Sequence, residues 1–447
     1  MNAKKIIYFT LLIFAGSCNI IDQEPIDSVS NEQLFQKRSD AVGAIMGAYN
    51  AMLSAGLNYV IMPELPTNNV LGNALNRQYE QINNKQFFDD NGYYNQLWSQ
   101  NYLLINRVNV IINRVPGMED PAFNETEKAG ILAEAHMLRA FAYFNLVRYF
   151  GKVPLITEPT SSSDLPSLQV SRDEVDAIYD QIFADLAIAL TDLPEGYSSA
   201  IETKGRVTRT AAFALATRIY LFTHKYPEAI SAADEVIERK KPLNSNSYAS
   251  LFEDQNAEES IWELQYDNQN ANGLANIFLP GSLGGVRQLQ VNPDILSAYE
   301  AGDLREVATF GFADNEEYVK KYTRRATGDD NIIVFRLAEV ILSKAEAEAE
   351  VSYPNAVALD MLNQVRLRAG LPALTTNDLP DIASFRAQVY KERRLELVYE
   401  GHSWFDLVRT DRIGEVLGIT DDNMKIWPIP SVEILRNENL LPQNPGY

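Results

Sequence analysis

A single cysteine and three histidines in 447 residues leave almost nothing from which to build a disulfide framework, a thiolate metal site or a zinc centre. His136, His224 and His402 lie far apart and lack a local partner at metal-ligand spacing, so each reads as a packing or surface residue. The chain carries no G-x-x-x-x-G-K-[ST] phosphate loop, no G-x-G-x-x-G turn and no H-E-x-x-H helix. The glycines at 281, 284 and 285 have the wrong spacing for a nucleotide and read as a flexible turn. The acidic turns at 89–92 and 328–331 lack the alternating ligands and trailing Glu of a calcium loop. No metal and no cofactor is expected. Positive charge is also scarce: 39 Lys and Arg face 60 Asp and Glu, for a net charge of −21. A nucleic-acid partner needs a basic footprint and is excluded. The same imbalance disfavours polyanionic ligands, because like charges raise the cost of approach.

What the chain does have is a core-sized apolar content, 46% with 10% aromatic, enough to fold without staples. Its first 17 residues read as a signal peptide: Lys4 and Lys5 form a positive start, residues 6–15 an apolar run, and Gly16-Ser17 a small-residue site before Cys18. Ten residues span about 15 Å as a helix, about half a bilayer core, so this run is not a membrane anchor. Cysteine directly after small residues resembles a bacterial lipobox, with Ala15 standing where Leu is usual. Acylation of Cys18 is expected, with residues 18–30 as lipidated N-terminus and polar tether.

Helical periodicity dominates the rest. Residues 127–150 place Ala135, Leu138, Ala142 and Leu146 on one stripe, with Asn124 and Glu127 as a capping signal and Gly151 as the stop. The aromatic second half of this segment is expected to pack on more than one side. Residues 210–238 form a helical hairpin: Phe213, Ala216, Thr217 and Tyr220 face one way, Tyr226-Pro227 breaks the run, and Ala229, Ala233 and Val236 follow. Large and small residues in this order resemble a tetratricopeptide repeat. Similar pairs span 335–349 with 355–369, 40–55 with 94–115, and 127–150 with 172–190. The fold expected is mainly α, with about four degenerate repeats, above the roughly three that a self-supporting stack requires. The alternative is an unrepeated helical bundle. Residues 57–93 and 243–330 break the pattern, being rich in Asn, Gln, Gly and scattered aromatics. Long irregular stretches in compact proteins are usually functional.

Several motifs share a further resemblance. They are AEAHMLRAFAYFNLVRYFGKVPLI (133–156), FRLAEVILSKAEAEAE (335–350), RAQVYKERRLELVYEGHSWFDLVR (386–409), WPIP (427–430) and LPQNPGY (441–447). Together they closely resemble the SusD/RagB family of Bacteroidetes surface lipoproteins. Ser403 is a departure, since the family often has Arg there, so ion pairs of Glu400 and Asp406 must be rearranged. The resemblance implies one SusD-like domain over 31–447, with helical repeats at about 31–56, 94–240 and 335–410. Loops at about 57–93 and 243–330, with a few short strands, would form the ligand face. It implies a non-catalytic protein at the outer membrane that captures oligosaccharide or polysaccharide and delivers it to a SusC-like TonB-dependent transporter. A peptide-binding relative of the same architecture and a glycosidase are the competing readings.

Sugar recognition needs flat apolar platforms and amide or guanidinium groups. Trp98, Trp262, Trp404 and Trp427 lie in scaffold or family motifs and are assigned to the core; the Ile261–Tyr266 stretch alternates like a buried strand. The platform therefore falls to Tyr59, Tyr79 and Phe278, with Asn69, Asn76, Arg77, Asn270, Asn272 and Arg287 as hydroxyl contacts. The alternating charges of Glu392, Arg393, Arg394, Glu396, Glu400, Asp406 and Arg409 read as a salt-bridged helix surface that seats the last segment on the repeats.

Overall fold

The computed structural model describes residues 35–160, 168–240, 242–243 and 247–447. The signal peptide, Cys18 and the tether lie outside the described residues. Helix α1 (Arg38–Ile61) packs on α2 (Gly92–Arg114), and α3 (Glu125–Phe150) on α4 (Val175–Asp192). Next come α5 (Arg209–Phe222) on α6 (Tyr226–Arg239) and α7 (Leu337–Val351) on α8 (Ala356–Arg368). Successive pairs touch through α2–α3, α4–α5 and α6–α7, which makes a continuous stack of tetratricopeptide-like helix pairs. Small residues set the close approach: Ala41 and Ala48 on α1, Ala212 and Ala216 on α5, and Ala229 and Ala233 on α6 are all fully buried.

Local chemistry fixes the helix ends. Asn91, Asn124, Thr208 and Asn355 cap α2, α3, α5 and α8 by accepting from backbone N–H groups one turn in. Gly151 ends α3 at φ 67°. Residues 137–150 are buried without exception, so α3 is the central helix, apolar on all sides. Of its two interior arginines, Arg139 donates Nε and Nη2 to Asp185 of α4 at 2.8 and 2.7 Å, and Arg148 lies over the Phe405 ring.

Among the described residues, six strands form three antiparallel pairs. The first joins β1 (Val70–Gly72) to β3 (Leu289–Val291), the second β2 (Ser260–Leu264) to β6 (Ile332–Arg336), and the third is the hairpin β4 (Phe310–Ala313) and β5 (Glu316–Val319). Three expectations are corrected here. Residues 57–93 are less irregular than their composition suggests, since α1 continues to Ile61 and a short helix occupies Arg77–Asn83. Strand β2 is buried at every position rather than alternating, because Trp262 meets Phe335 on one side and Phe141 on another. Phe335 and Arg336 belong to β6, so α7 begins at Leu337.

The charged segment near the C-terminus is not a solvated surface. Helix α9 (Ile382–Leu397) lies against α7 and α8 with Glu392 and Glu396 fully buried. Arg336 donates to Glu400 at 2.6 Å, to Glu396 at 2.6 Å and to Glu259 at 2.9 Å. Arg368 joins Glu259 to Glu396, Arg305 joins Asp303 to Glu392, and Lys321 pairs with Glu400. Asp406 is held between Arg393 and Arg409. Ser403 takes up the rearrangement its departure demanded: its Oγ donates to the buried Glu64 and accepts from Asn69.

Candidate functional site

The pairing of β1 with β3 brings the two irregular excursions together, with Val70 opposite Val291 and Leu71 opposite Gln290. Side-chain alternation then turns Val70 and Leu289 inward and Leu71 outward. Asn73 donates Nδ2 to the Arg287 carbonyl at 2.7 Å, and Asn76 donates to Gln288 at 3.2 Å. These bonds seat residues 73–77 beside the 281–288 loop. The β4–β5 hairpin is tied to the same loop by Arg287, which reaches the Glu317 carbonyl at 2.6 Å and the Glu316 carboxylate at 3.0 Å. The Ser282 N–H donates to Asp314 at 3.1 Å and, with the Ser282 hydroxyl, holds that carboxyl below its usual range.

Asp314 and Asn315, at φ 53° and 64°, make the two-residue turn that favours the twist of a tight hairpin. Gly311 lies opposite Tyr318, whose ring covers it so closely that a Cβ there would sit 2.3 Å from Cζ. The strand leaves the body as it runs outward: Phe310 is buried, and Phe312, two residues on, is 65% exposed. Leu75 (65% exposed), Val286 (47%) and Leu283 are exposed on the segments just joined. Strand alternation puts Phe312 on the face of the hairpin that carries Phe310 and Glu317, and Tyr318 on the other face, over Gly311.

The residues expected to bind ligand fare unevenly. Tyr79 is 1% exposed and stacks on Tyr93 at 4.5 Å. Phe278 is equally buried, between Tyr322 and Tyr399. Tyr59 points inward, its hydroxyl donating to Asn101 at 3.0 Å and its ring edge-on to Phe141. Burial pushes the Tyr59 and Tyr79 phenols above their ordinary range. Asn69 is buried among Glu64, Ser403 and Arg394. Tyr79, Phe278 and Asn69 reach no ligand without opening the core, and Tyr59 is half-buried with its hydroxyl committed to Asn101.

Asn76 caps the 77–83 helix and donates to the Tyr93 hydroxyl, so its amide is committed. Asn272 accepts from the Leu274 N–H at the start of the Leu274–Phe278 helix and donates to the Asp330 carbonyl, so its amide is committed. Asn270 is exposed and bonded only to Asp267. Arg287 organises the loop, and Arg77 stands exposed with no side-chain partner among the described residues. Phe312, Val286 and Leu75 were not among the expected residues. Their one legible signal was the Asp314-Asn315 turn between two short β-prone runs.

Trp262, Trp404 and Trp427 are fully buried, as assigned, and Trp98 is 4% exposed. Among the described residues no three His, Cys, Asp or Glu side chains gather where a metal ion could be held. No helix among them is long and apolar enough to cross a membrane.

Helix pairs stacked as a support, with loops and three short strand pairs set against them, define a tetratricopeptide-like repeat scaffold. A profile of the SusD family matches residues 305–424, and one described as starch-binding associating with outer membrane matches residues 22–221. SusD-like protein P38 of Formosa agariphila is 27% identical, over 99% of this chain and 98% of its own. The crystal structure of a SusD superfamily protein from Parabacteroides distasonis superposes with a TM-score of 0.80 at 26% identity, covering 92% of this chain and 99% of that one. A laminarin-binding SusD-like protein superposes at 0.79 with 26% identity, covering 92% of this chain and all of the other. The chain belongs to the SusD/RagB family, a family of carbohydrate-binding proteins associated with the outer membrane.

Proposed function

We propose that this protein is a lipid-anchored, non-catalytic cell-surface subunit that captures oligosaccharide on the face built by residues 71–77, 281–290 and 310–319 and passes it to a SusC-like TonB-dependent transporter. The observation that carries the reading is the exposed Phe312 ring on a hairpin that Arg287 and Ser282 tie to the 281–288 loop, where Val286 is also exposed. An aromatic face takes the C–H surface of a pyranose, while Arg77 and the loop amides supply donors to hydroxyls. The laminarin-binding relative of the same fold makes a neutral glucan the first ligand to try.

Native affinity electrophoresis of the full chain in gels containing laminarin tests this. The wild type is expected to be retarded, and Phe312→Ala with Val286→Ser to lose at least about tenfold in affinity, as loss of a stacking platform and its apolar border predicts. Equal retardation of the variant would remove this face from the role. New reducing ends on prolonged incubation would overturn the non-catalytic assignment.

The anchor has its own test. Cys18→Ser is expected to move the protein from the membrane fraction to the soluble fraction, since the described body offers no spanning helix. Retention in the membrane fraction would exclude lipid as the attachment.

A further inference from the structure

A second cavity, of about 190 Å³, opens on the opposite flank of the Asn68–Asn69 turn, between α9 and the short helix Ser403–Arg409. Its wall carries Lys391, Arg393, Arg394 and Arg412 against one carboxylate, Asp406. In a chain of net charge −21, four cations line this one opening, and nearby carboxylates balance most of their charge. Three of them have carboxylate partners: Arg393 with Asp406 at 3.0 Å, Lys391 with Glu300 at 3.1 Å, and Arg412 with Glu415 at 3.3 Å. Asp406 is itself shared with Arg409, so its charge is more than met.

Arg394 differs. Its Nε donates to Asn69 Oδ1 at 2.8 Å and its Nη2 to the Asn68 carbonyl at 3.0 Å. Both acceptors are neutral, and among the described residues no carboxylate lies at salt-bridge distance from it. A guanidinium has five N–H groups, so three remain without a protein acceptor, including both on Nη1. Those two bonds fix the guanidinium plane in advance, which is the arrangement that makes Arg a fork for planar oxyanions. The remaining wall is mixed: Leu407, Val416 and Ala298 give an apolar side, and Thr410 a hydroxyl. His402 also lines the cavity, and burial pushes its pKa down to about 4, so it adds no charge at neutral pH.

We propose that this cavity is a binding site for a small hydroxylated carboxylate of sugar-acid size, with the Arg394 guanidinium, whose protein acceptors are both neutral, receiving the carboxylate. The fixed fork favours a planar carboxylate, and the half-apolar wall favours an organic body over a bare inorganic ion. The site is separate from the hairpin face, so it stands or falls independently of the glycan reading.

Isothermal titration of the full chain with D-glucuronate tests it, with D-glucose and sodium sulfate as controls. Glucuronate is expected to bind at least about tenfold more tightly than either control, the margin a charge-assisted forked contact supplies. Ala387→Glu, which places a competing carboxylate at an exposed position on the cavity wall, is expected to reduce that affinity about tenfold without changing the melting temperature. Arg394→Lys, which keeps the charge and loses the fork, is expected to weaken it by a similar factor. Phe312→Ala is expected to leave it unchanged, which separates this site from the hairpin face. No glucuronate binding, or unaltered binding by Ala387→Glu, would overturn the site. Sulfate binding as tightly as glucuronate would overturn the carboxylate assignment.

Discussion

Replacing Arg336 with Met is expected to cost about 3–5 kcal/mol of folding stability, the range for breaking a buried ion pair by removing one partner. The expectation sits at the upper end because this guanidinium serves three buried carboxylates, Glu259, Glu396 and Glu400. Burial alone would raise the Glu396 carboxyl, but Arg368, Arg336 and Arg305 overcome it and hold the group below its usual range. Glu400 is likewise held low against burial, by Arg336 and Lys321.

The sign with pH follows. In the wild type these lowered carboxyls contribute stability above the unfolded value of about 4.3, and that stability is lost as pH falls through the lower folded values. In the variant Arg368 still serves Glu259 and Glu396 and Lys321 still serves Glu400, but one cation is gone. These carboxyls therefore titrate higher than in the wild type, and the penalty of the uncompensated charge is largest at neutral pH and is relieved as they protonate. Urea denaturation at pH 7 and pH 4 is therefore expected to show a deficit that shrinks in acid. A constant deficit would mean that lost packing, not stranded charge, dominates.

Phe278→Ala is the second large effect, expected to cost about 3–5 kcal/mol, with Tyr79→Ala comparable, as truncation of a buried aromatic ring does. Both rings are about 1% exposed and packed on other aromatics. The same denaturation measurement decides it. An unshifted midpoint accompanied by loss of glycan binding would mean that these rings face ligand after all, against their buried positions. The sequence reading put both at the ligand face because they lie in irregular, Asn-rich stretches. Local composition marks such a stretch as loop, but it does not say which of its rings turns inward. Tyr79 turns in because Asn76 caps a short helix that points it at Tyr93. Phe278 turns in because the Leu274–Phe278 turn lays it against Tyr322 and Tyr399, the latter from the far C-terminal segment.

The charged run at 392–409 teaches the same lesson with the opposite sign. Alternating charge along a helix ordinarily marks a solvated face. Here the complementary groups arrive from Arg336 of β6, Arg366 and Arg368 of α8, Glu346 of α7, Arg305 and Lys321, and the segment is buried by partners that no local window contains.

What the chain alone determined was whatever depends on short-range spacing. The 3- and 4-residue apolar stripes, Asn and Thr caps and small residues at helix contacts specify the stacked pairs, and the motifs at 133–156 and 386–447 specify the family. What only the tertiary structure decided was the face that meets the ligand. Phe312 became a candidate because a two-residue turn carries its strand off the body, while Arg287 and Asn73, brought near by the β1–β3 pairing, tie the hairpin, the 281–288 loop and residue 73 together. Exposure belongs to a side chain's neighbours across the whole chain, and those neighbours are set by contacts that close only when the fold is complete.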